Sequence, residues 1–468
     1  MTRSTSPTAL FTRLLGPVSD PVLRILVTAT MISRVGRGIF LTVTVLYFTL
    51  IVHLPAHEVA IVLAASSGLG VLASLAGGWL ADRFSPKRML LALTALEGVG
   101  LAGYAFVGDF ASALVVAMLV GGFGQAANSN RMAIIARAFV GESRVHARAV
   151  LRTVTNLAIA VGSGLGAIAL AVGTAEAYRA LLLVAAIAYL LGLVRLAKLP
   201  ASVDAPAAAA SDPVLTATGS TDAVATRRAA RRTLAAHSPW RDPRYLALTA
   251  LCAVFAMQFG VAELGVPLWI AHDTNAPEVL VSATLILNTV IVVLFQVPLS
   301  KGTHDLRRAG RVSAIAAWLM AASCLVYAMA TGQPVWVAVV VLVAAALAHA
   351  FAEVLSQAGG WGLSFELADP VRSGTYQGVF GMGFSVGSMC APLLVALTVE
   401  QHGVLGWGVL AAVFLVSGLG VWVIARIAAG AQERAAEAAA TGPDASIESD
   451  ASDTAPVRSA DARVTARE

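Results

Sequence analysis

Polar and ionisable side chains interrupt long apolar runs in this sequence at helical spacing. Arg34 and Arg37 lie three apart, Gln125, Asn128 and Arg131 climb in steps of three, and His349, Glu353 and Gln357 rise in steps of four. Gln258 and Glu263 share a further run. Residues three or four apart occupy one helix face, so each group points one way. A charge inside hydrocarbon costs roughly 2.5–3.5 kcal/mol on insertion scales, so one that is retained faces a cavity or a partner. A carboxyl in a dry cavity is driven toward the neutral form, which makes Glu353 the expected proton carrier. His349, one turn away, is placed to share that proton. The competing reading of the two is a static hydrogen-bonded pair. Glu97, alone on its run, and Glu263 are the alternative carriers. Arg34, Arg37 and Arg131 in the first half against Glu263 and Glu353 in the second suit an anionic or zwitterionic substrate, unless internal pairing cancels them. For Arg34 and Arg37 the structural alternative is a bond to a carboxylate or carbonyl. For Arg131 it is snorkelling to the surface.

The elements that must position these groups follow from composition. Hydrophobic residues make up 58% and charged residues 13% of the 468, against about 25% charged in soluble domains. This is an all-α polytopic membrane protein, with no ten-residue alternation that would suggest a barrel. Cys252, Cys324 and Cys390 sit in apolar runs without metal-like spacing and read as small buried hydrophobes. The high pI reflects basic loops rather than nucleic-acid binding. The first 20 residues lack a signal-type core and cleavage site, so the first helix is expected to be retained.

Twelve apolar runs are long enough to cross a bilayer: about 22–51, 57–81, 88–108, 111–140, 148–172, 177–198, 244–271, 279–300, 309–331, 335–365, 372–398 and 404–428. One set of loops carries Arg83, Lys87, Arg88, Arg144, Arg148, Lys301, Arg307, Arg308, Arg311 and Arg372, whereas the other is acidic apart from Arg179. The basic loops, and with them both termini, are therefore expected in the cytoplasm. The implied organisation is an N-terminal segment 1–21, a six-helix bundle 22–198, a cytoplasmic linker 199–243, a second bundle 244–428 and a disordered tail 429–468. A faint repeat relates the halves: Asp20-Pro21 recurs as Asp242-Pro243, Gly38 as Gly260, Glu58-Val59 as Glu278-Val279 and Arg148 as Arg372, at offsets of 220 to 224.

Between the second and third runs stands a polar knot, Gly78-Trp79-Leu80-Ala81-Asp82-Arg83-Phe84-Ser85-Pro86-Lys87-Arg88. Its order Gly-x-Leu-Ala-Asp-Arg-x-x-x-Lys-Arg closely resembles the loop between helices two and three of the major facilitator superfamily. In that family the aspartate is associated with holding the cytoplasmic ends of the halves together and releasing them during transport. The resemblance implies that gate role for Asp82, supported by Gly78, Arg83, Lys87 and Arg88. Ser85-Pro86 departs from the usual Gly-Arg. It also implies that spans one, four, seven and ten line the cavity, the spans that carry Arg34 and Arg37, Gln125 to Arg131, Gln258 and Glu263, and His349 to Gln357.

Arg152, Asn156, Gly162, Gly164 and Gly166 on span five, with Tyr376-Gln377-Gly378, Gly387 and Pro392 on span eleven, resemble the small-residue faces of bacterial drug exporters. Span five nevertheless lacks the Gly-Pro of antiporters, and span four lacks the arginine that proton-coupled exporters place around 117–120. No phosphate loop, metal cluster or nucleophile elbow is present, which excludes ATP hydrolysis and implies no enzyme activity, cofactor or metal. The expectation is a secondary transporter of the cytoplasmic (inner) membrane working by alternating access between two pseudo-symmetric six-helix bundles. Proton-coupled export of small amphiphilic drug-like compounds or metabolites is the preferred activity. Proton-linked import of an organic acid or nutrient, motivated by Arg34, Arg37 and Arg131, is the first rival. A non-transporting scaffold or sensor is the second. The expected partners are a small-molecule substrate, protons and the lipid bilayer, with no nucleic acid and no obligate protein partner.

Overall fold

A computed structural model describes residues 18–204 and 237–440. Among the described residues there is no strand. The first half runs α1 (Pro21–Ile51), α2 (Ala56–Arg83), α3 (Pro86–Gly103), α4 (Phe110–Ala138), α5 (Glu142–Val172) and α6 (Ala175–Leu196). The second runs α7 (Pro243–Asp273), α8 (Val279–Ser300), α9 (Leu306–Ala328), α10 (Val335–Glu366), α11 (Ser373–Val395) and α12 (Gln401–Ala440). Among the described residues, eleven segments are long and apolar enough to cross a membrane, the last running Pro370–Ala438 over 69 residues. That is more than twice the roughly 20 residues a bilayer core needs. It turns at Gly403, whose φ of 52° suits glycine. Counting α11 and α12 separately is consistent with twelve spans.

Helix starts follow from local chemistry. Asp20 and Asp242 each accept the backbone N–H three residues on, from Leu23 and Tyr245, at 3.0 Å, and a proline follows each. Such a cap is worth about 1 kcal/mol. Ser85 caps α3 by accepting the Arg88 N–H at 3.1 Å with Pro86 next in line, which explains the departure from Gly-Arg in the knot. Asp109 forms a capping box with Ser112. Donation by the Ser112 N–H and hydroxyl holds that carboxyl below the usual carboxylate range.

Within the bundles the contacts are close. Oil offers no hydrophobic drive between helices in lipid, so small residues and packing hold them. A Cβ on Gly38 would overlap α5 at the Ile159 carbonyl, and one on Gly260 would overlap Ala391 of α11. The repeated glycine therefore makes the equivalent contact in each half, α1 on α5 and α7 on α11. The repeated arginine does not: Arg148 lies two turns inside α5, while Arg372 immediately precedes α11. Between the halves, α2 packs on α11, α5 on α8 and α10, and α4 on α11.

Three elements differ from expectation. α5 begins at Glu142, six residues before the expected 148, because Arg144 and Arg148 are helical rather than loop charges. α7 is interrupted by a π turn at Val261–Gly265. Pro267 follows it and has no N–H to return to the Glu263 carbonyl. α12 continues to Ala440 rather than ending near 428, and 441–468 lie outside the described residues. Of the 199–243 linker, the described ends dock on the bundles. Lys87 donates its backbone N–H to Asp204 at 3.0 Å and its ammonium to the Leu199 carbonyl, and His237 meets Asp369.

Candidate functional site

The ends of the spans that carry the 83–88 knot, here termed the basic end, are joined across the halves by Asp82. Its two carboxylate oxygens accept the Gly374 N–H at 2.8 Å, the Thr375 N–H at 2.6 Å and the Thr375 hydroxyl at 2.6 Å. These are the free donors of the first turn of α11, where a negative charge is favoured. Arg137 of α4 pairs with the same carboxylate at 2.9 Å and also donates to the Ala81 carbonyl. Gly78 makes this approach possible, since a Cβ there would overlap the Gly374 carbonyl and come within 2.8 Å of the Gly378 Cα. The expected helpers are placed elsewhere. Arg83 lies over Trp79, Lys87 holds the linker, and Arg88 is exposed. Arg83 closes the last turn of α2 and Lys87 and Arg88 open α3, and the arginine that counters Asp82 is Arg137.

Farther into the bundle, a cavity of about 710 Å³ opens between the halves. From the first half it takes Gln125 and Asn128 on α4 and Arg148 and Arg152 on α5. The second half contributes Gln357, Trp361 and Phe365 on α10 and Phe380, Phe384 and Ser385 on α11. Gln125 donates across the halves to Ser385 at 3.0 Å. A smaller cavity, about 490 Å³, adjoins it within the first half and is lined by Thr30, Arg34, Asn128, Arg131, Arg148 and Arg152, among others.

Ion pairs and aromatic faces organise the walls. Arg152 bonds Glu353 at 2.5 Å, joining α5 to α10 across the halves. The other Glu353 oxygen accepts Asn288 Nδ2 at 3.2 Å. The Arg152 guanidinium lies 5.3 Å from the Phe259 ring and 5.8 Å from Trp361, and that of Arg148 lies 4.7 Å from Trp361. One turn or two nearer the basic end, Arg144 pairs with Glu366 at 3.3 Å.

Of the groups read from sequence, the structure brings Arg34, Gln125, Asn128, Arg131, Gln357 and Glu353 to these cavities or to their ion pair. It does not bring the others. Three residues advance a helix by 300°, so Arg37 sits 60° round from Arg34 and lies over the Phe40 ring inside the first half. His349 is not beside a shared proton with Glu353: its Nε2 bonds Gln258 Oε1 at 3.0 Å, in a buried pair against Tyr327. Glu263 is exposed on the π turn. Glu97 is 5% exposed and not isolated, standing within electrostatic reach of Arg131 and Tyr189. Among the described residues no three His, Cys, Asp or Glu side chains gather as a metal site.

Sequence reading missed Arg137, Arg148, Asn288 and Trp361, and placed Arg152 only on a packing face. A signal was present in Arg144, Arg148 and Arg152, which form a stripe in steps of four. Assigning the first two to a loop concealed it.

The family model described as Major Facilitator Superfamily matches residues 26–358. No curated protein matches the chain. Solved structures share its fold. A crystal structure of the human organic anion transporter MFSD10 (TETRAN) superimposes with a TM-score of 0.62 at 14% identity, over 86% of this chain and 100% of that one. FucP, crystallised in the outward conformation, gives 0.61 at 14% identity over 86% and 98%. The proton:xylose symporter XylE, bound to 6-bromo-6-deoxy-D-glucose, gives 0.59 at 15% over 86% and 95%. At such identities the likeness is one of fold, and with the matched family model it leads to one conclusion: this chain is a multi-pass membrane protein that belongs to the major facilitator superfamily.

Proposed function

We propose that this transporter carries small organic anions by alternating access, with a proton as coupling ion and Glu353 as its carrier. The observation that supports this is the pair Arg148 and Arg152 on the wall between the halves, backed by Arg34 and Arg131. Arginine presents a fixed fork of donors that matches carboxylate and phosphate and stays charged when partly buried. Trp361, Phe365, Phe380 and Phe384 supply an apolar face for the rest of the molecule. Amphiphilic compounds remain suitable cargo where they carry a negative charge, whereas cationic drugs do not.

Basic loops place the 83–88 end in the cytoplasm, so the Asp82 latch and the Arg152–Glu353 and Arg144–Glu366 pairs hold the inner side closed. Protonating Glu353 removes its charge and weakens its hold on Arg152, which frees the halves to part there. A substrate anion arriving at Arg152 replaces the lost partner. Both events favour the same change, and that is how proton and cargo become linked.

The test is transport in proteoliposomes under an imposed pH gradient, with benzoate, phenyl phosphate and a cationic dye offered in turn. Movement of the two anions, driven by the gradient and lost in Arg148→Gln, is the expected result. Movement of the dye alone would overturn the reading.

A further inference from the structure

The two cavities share a wall on which charge does not balance. Asn128, Met132, Arg148 and Arg152 line both, while Arg34 and Arg131 line only the smaller one. Arg131 is 8% exposed and its Nε has no hydrogen-bond partner; Arg152 Nε and Thr30 Oγ1, on the same cavity, are also buried and unpaired. The charged groups acting on Arg148 are the guanidiniums of Arg152, Arg131 and Arg34. Two carboxylates oppose this group: Glu353, bonded to Arg152, and Glu97, which acts on Arg131. Four guanidiniums against two carboxylates leave two positive charges unmatched among the described residues. Burying an unmatched charge is expensive, and a buried N–H left unpaired adds to the cost. A ligand that brings two negative charges and several acceptor oxygens satisfies both conditions together.

We propose that the smaller cavity seats the doubly charged end of a dianion, a phosphate monoester or a dicarboxylate, whose apolar body lies in the larger cavity against Trp361 and Phe365. This rests on the organic-anion reading above and deepens it, by giving the charge of the cargo and the direction in which it lies. The headgroup belongs to the first half, between α1, α4 and α5, and the body reaches the second half at α10. Glu353 marks the boundary, since Arg152 is its partner and also lines both cavities.

The experiment is equilibrium binding to the full chain in detergent at pH 7.5, with three probes that share one ring: benzoate, phthalate and phenyl phosphate. The second phosphate pKa near 6 makes phenyl phosphate a dianion there. An added charge-assisted contact corresponds to about ten- to a hundredfold in affinity, so phthalate and phenyl phosphate should bind that much more tightly than benzoate. Arg131→Gln should collapse the ratio toward one. Arg34→Gln, on the other side of the same cavity, should do likewise and serves if the first variant fails to fold. A ratio near one in the unaltered protein, or a ratio that survives in both variants, overturns the proposal. If no probe binds at all, the organic-anion reading itself has failed, which is a separate result.

Discussion

Replacing Glu353 by Gln tests the bond that, in the function proposed above, ties the proton to the position of the halves. The carboxylate is 3% exposed, accepts Arg152 at 2.5 Å and Asn288 at 3.2 Å, and belongs to α10 while Arg152 belongs to α5. Removing one partner of a buried pair typically costs 3–5 kcal/mol, because the other charge is left uncompensated. Glutamine keeps an acceptor oxygen for Arg152, and Arg152 is 20% exposed, so about 3 kcal/mol is the appropriate figure. At about 1.4 kcal/mol per decade that shifts the ratio of closed to parted states by roughly a hundredfold. Spin labels at the exposed Phe84 and Val371, on opposite halves at the basic end, read the separation directly. In Glu353→Gln the long-distance population should rise relative to the unaltered protein. The sign follows from the chemistry: the amide carries no charge to hold Arg152, so the latch weakens. An unchanged distance distribution, together with pH-coupled transport in the variant, would refute the reasoning.

Other outcomes follow from the same geometry. Asp82→Asn removes the charge that the first turn of α11 and Arg137 both favour. Transport should fall at least tenfold while probe binding changes by less than threefold, as calorimetry and flux on one preparation would show. Gly38→Ala drives a Cβ into the Ile159 carbonyl and should lower stability by about 1–3 kcal/mol, read as an earlier thermal transition in detergent. Asp242→Ala deletes the cap of α7 and should cost about 1 kcal/mol in the same melt without altering the preference among anions.

The spans are legible in the sequence because hydrocarbon imposes a length and an apolar composition that little else produces. Asp20-Pro21 and Asp242-Pro243 are legible for a local reason, as a cap and a first-turn proline need only their own neighbours. Arg148 and Arg152 illustrate what is not legible. Hydropathy cannot say where a helix starts when its first two turns are polar, so Glu142 to Arg148 looks like loop, and the basic stripe looks like topology. Asp82 meets Gly374 from 292 positions away. Its need for donors can be read from the residue, but the identity of the donors depends on how two bundles meet. His349 errs in the other direction. Its spacing from Glu353 is helical and correct, yet Gln258 on α7 competes for the ring, and proximity along one helix does not decide a contact that a neighbouring helix can supply.

What the two halves repeat and what they do not repeat separates packing from chemistry. The caps at Asp20 and Asp242 and the close contacts at Gly38 and Gly260 occur in both, and each serves only to hold a bundle together. The charges of the cavity are unequal: Arg34, Arg131, Arg148 and Arg152 belong to the first half together with one carboxylate, Glu97, and Glu353, which meets Arg152 across the interface, belongs to the second. Two identical halves could close on each other by packing alone and would have no electrostatic reason to register a proton. In the reading proposed above, placing Arg152 on one side and Glu353 on the other makes closure depend on ionisation. On the same reading the cationic half is left short of partners when the halves part, which is the moment the proposed anionic substrate gains most by occupying it.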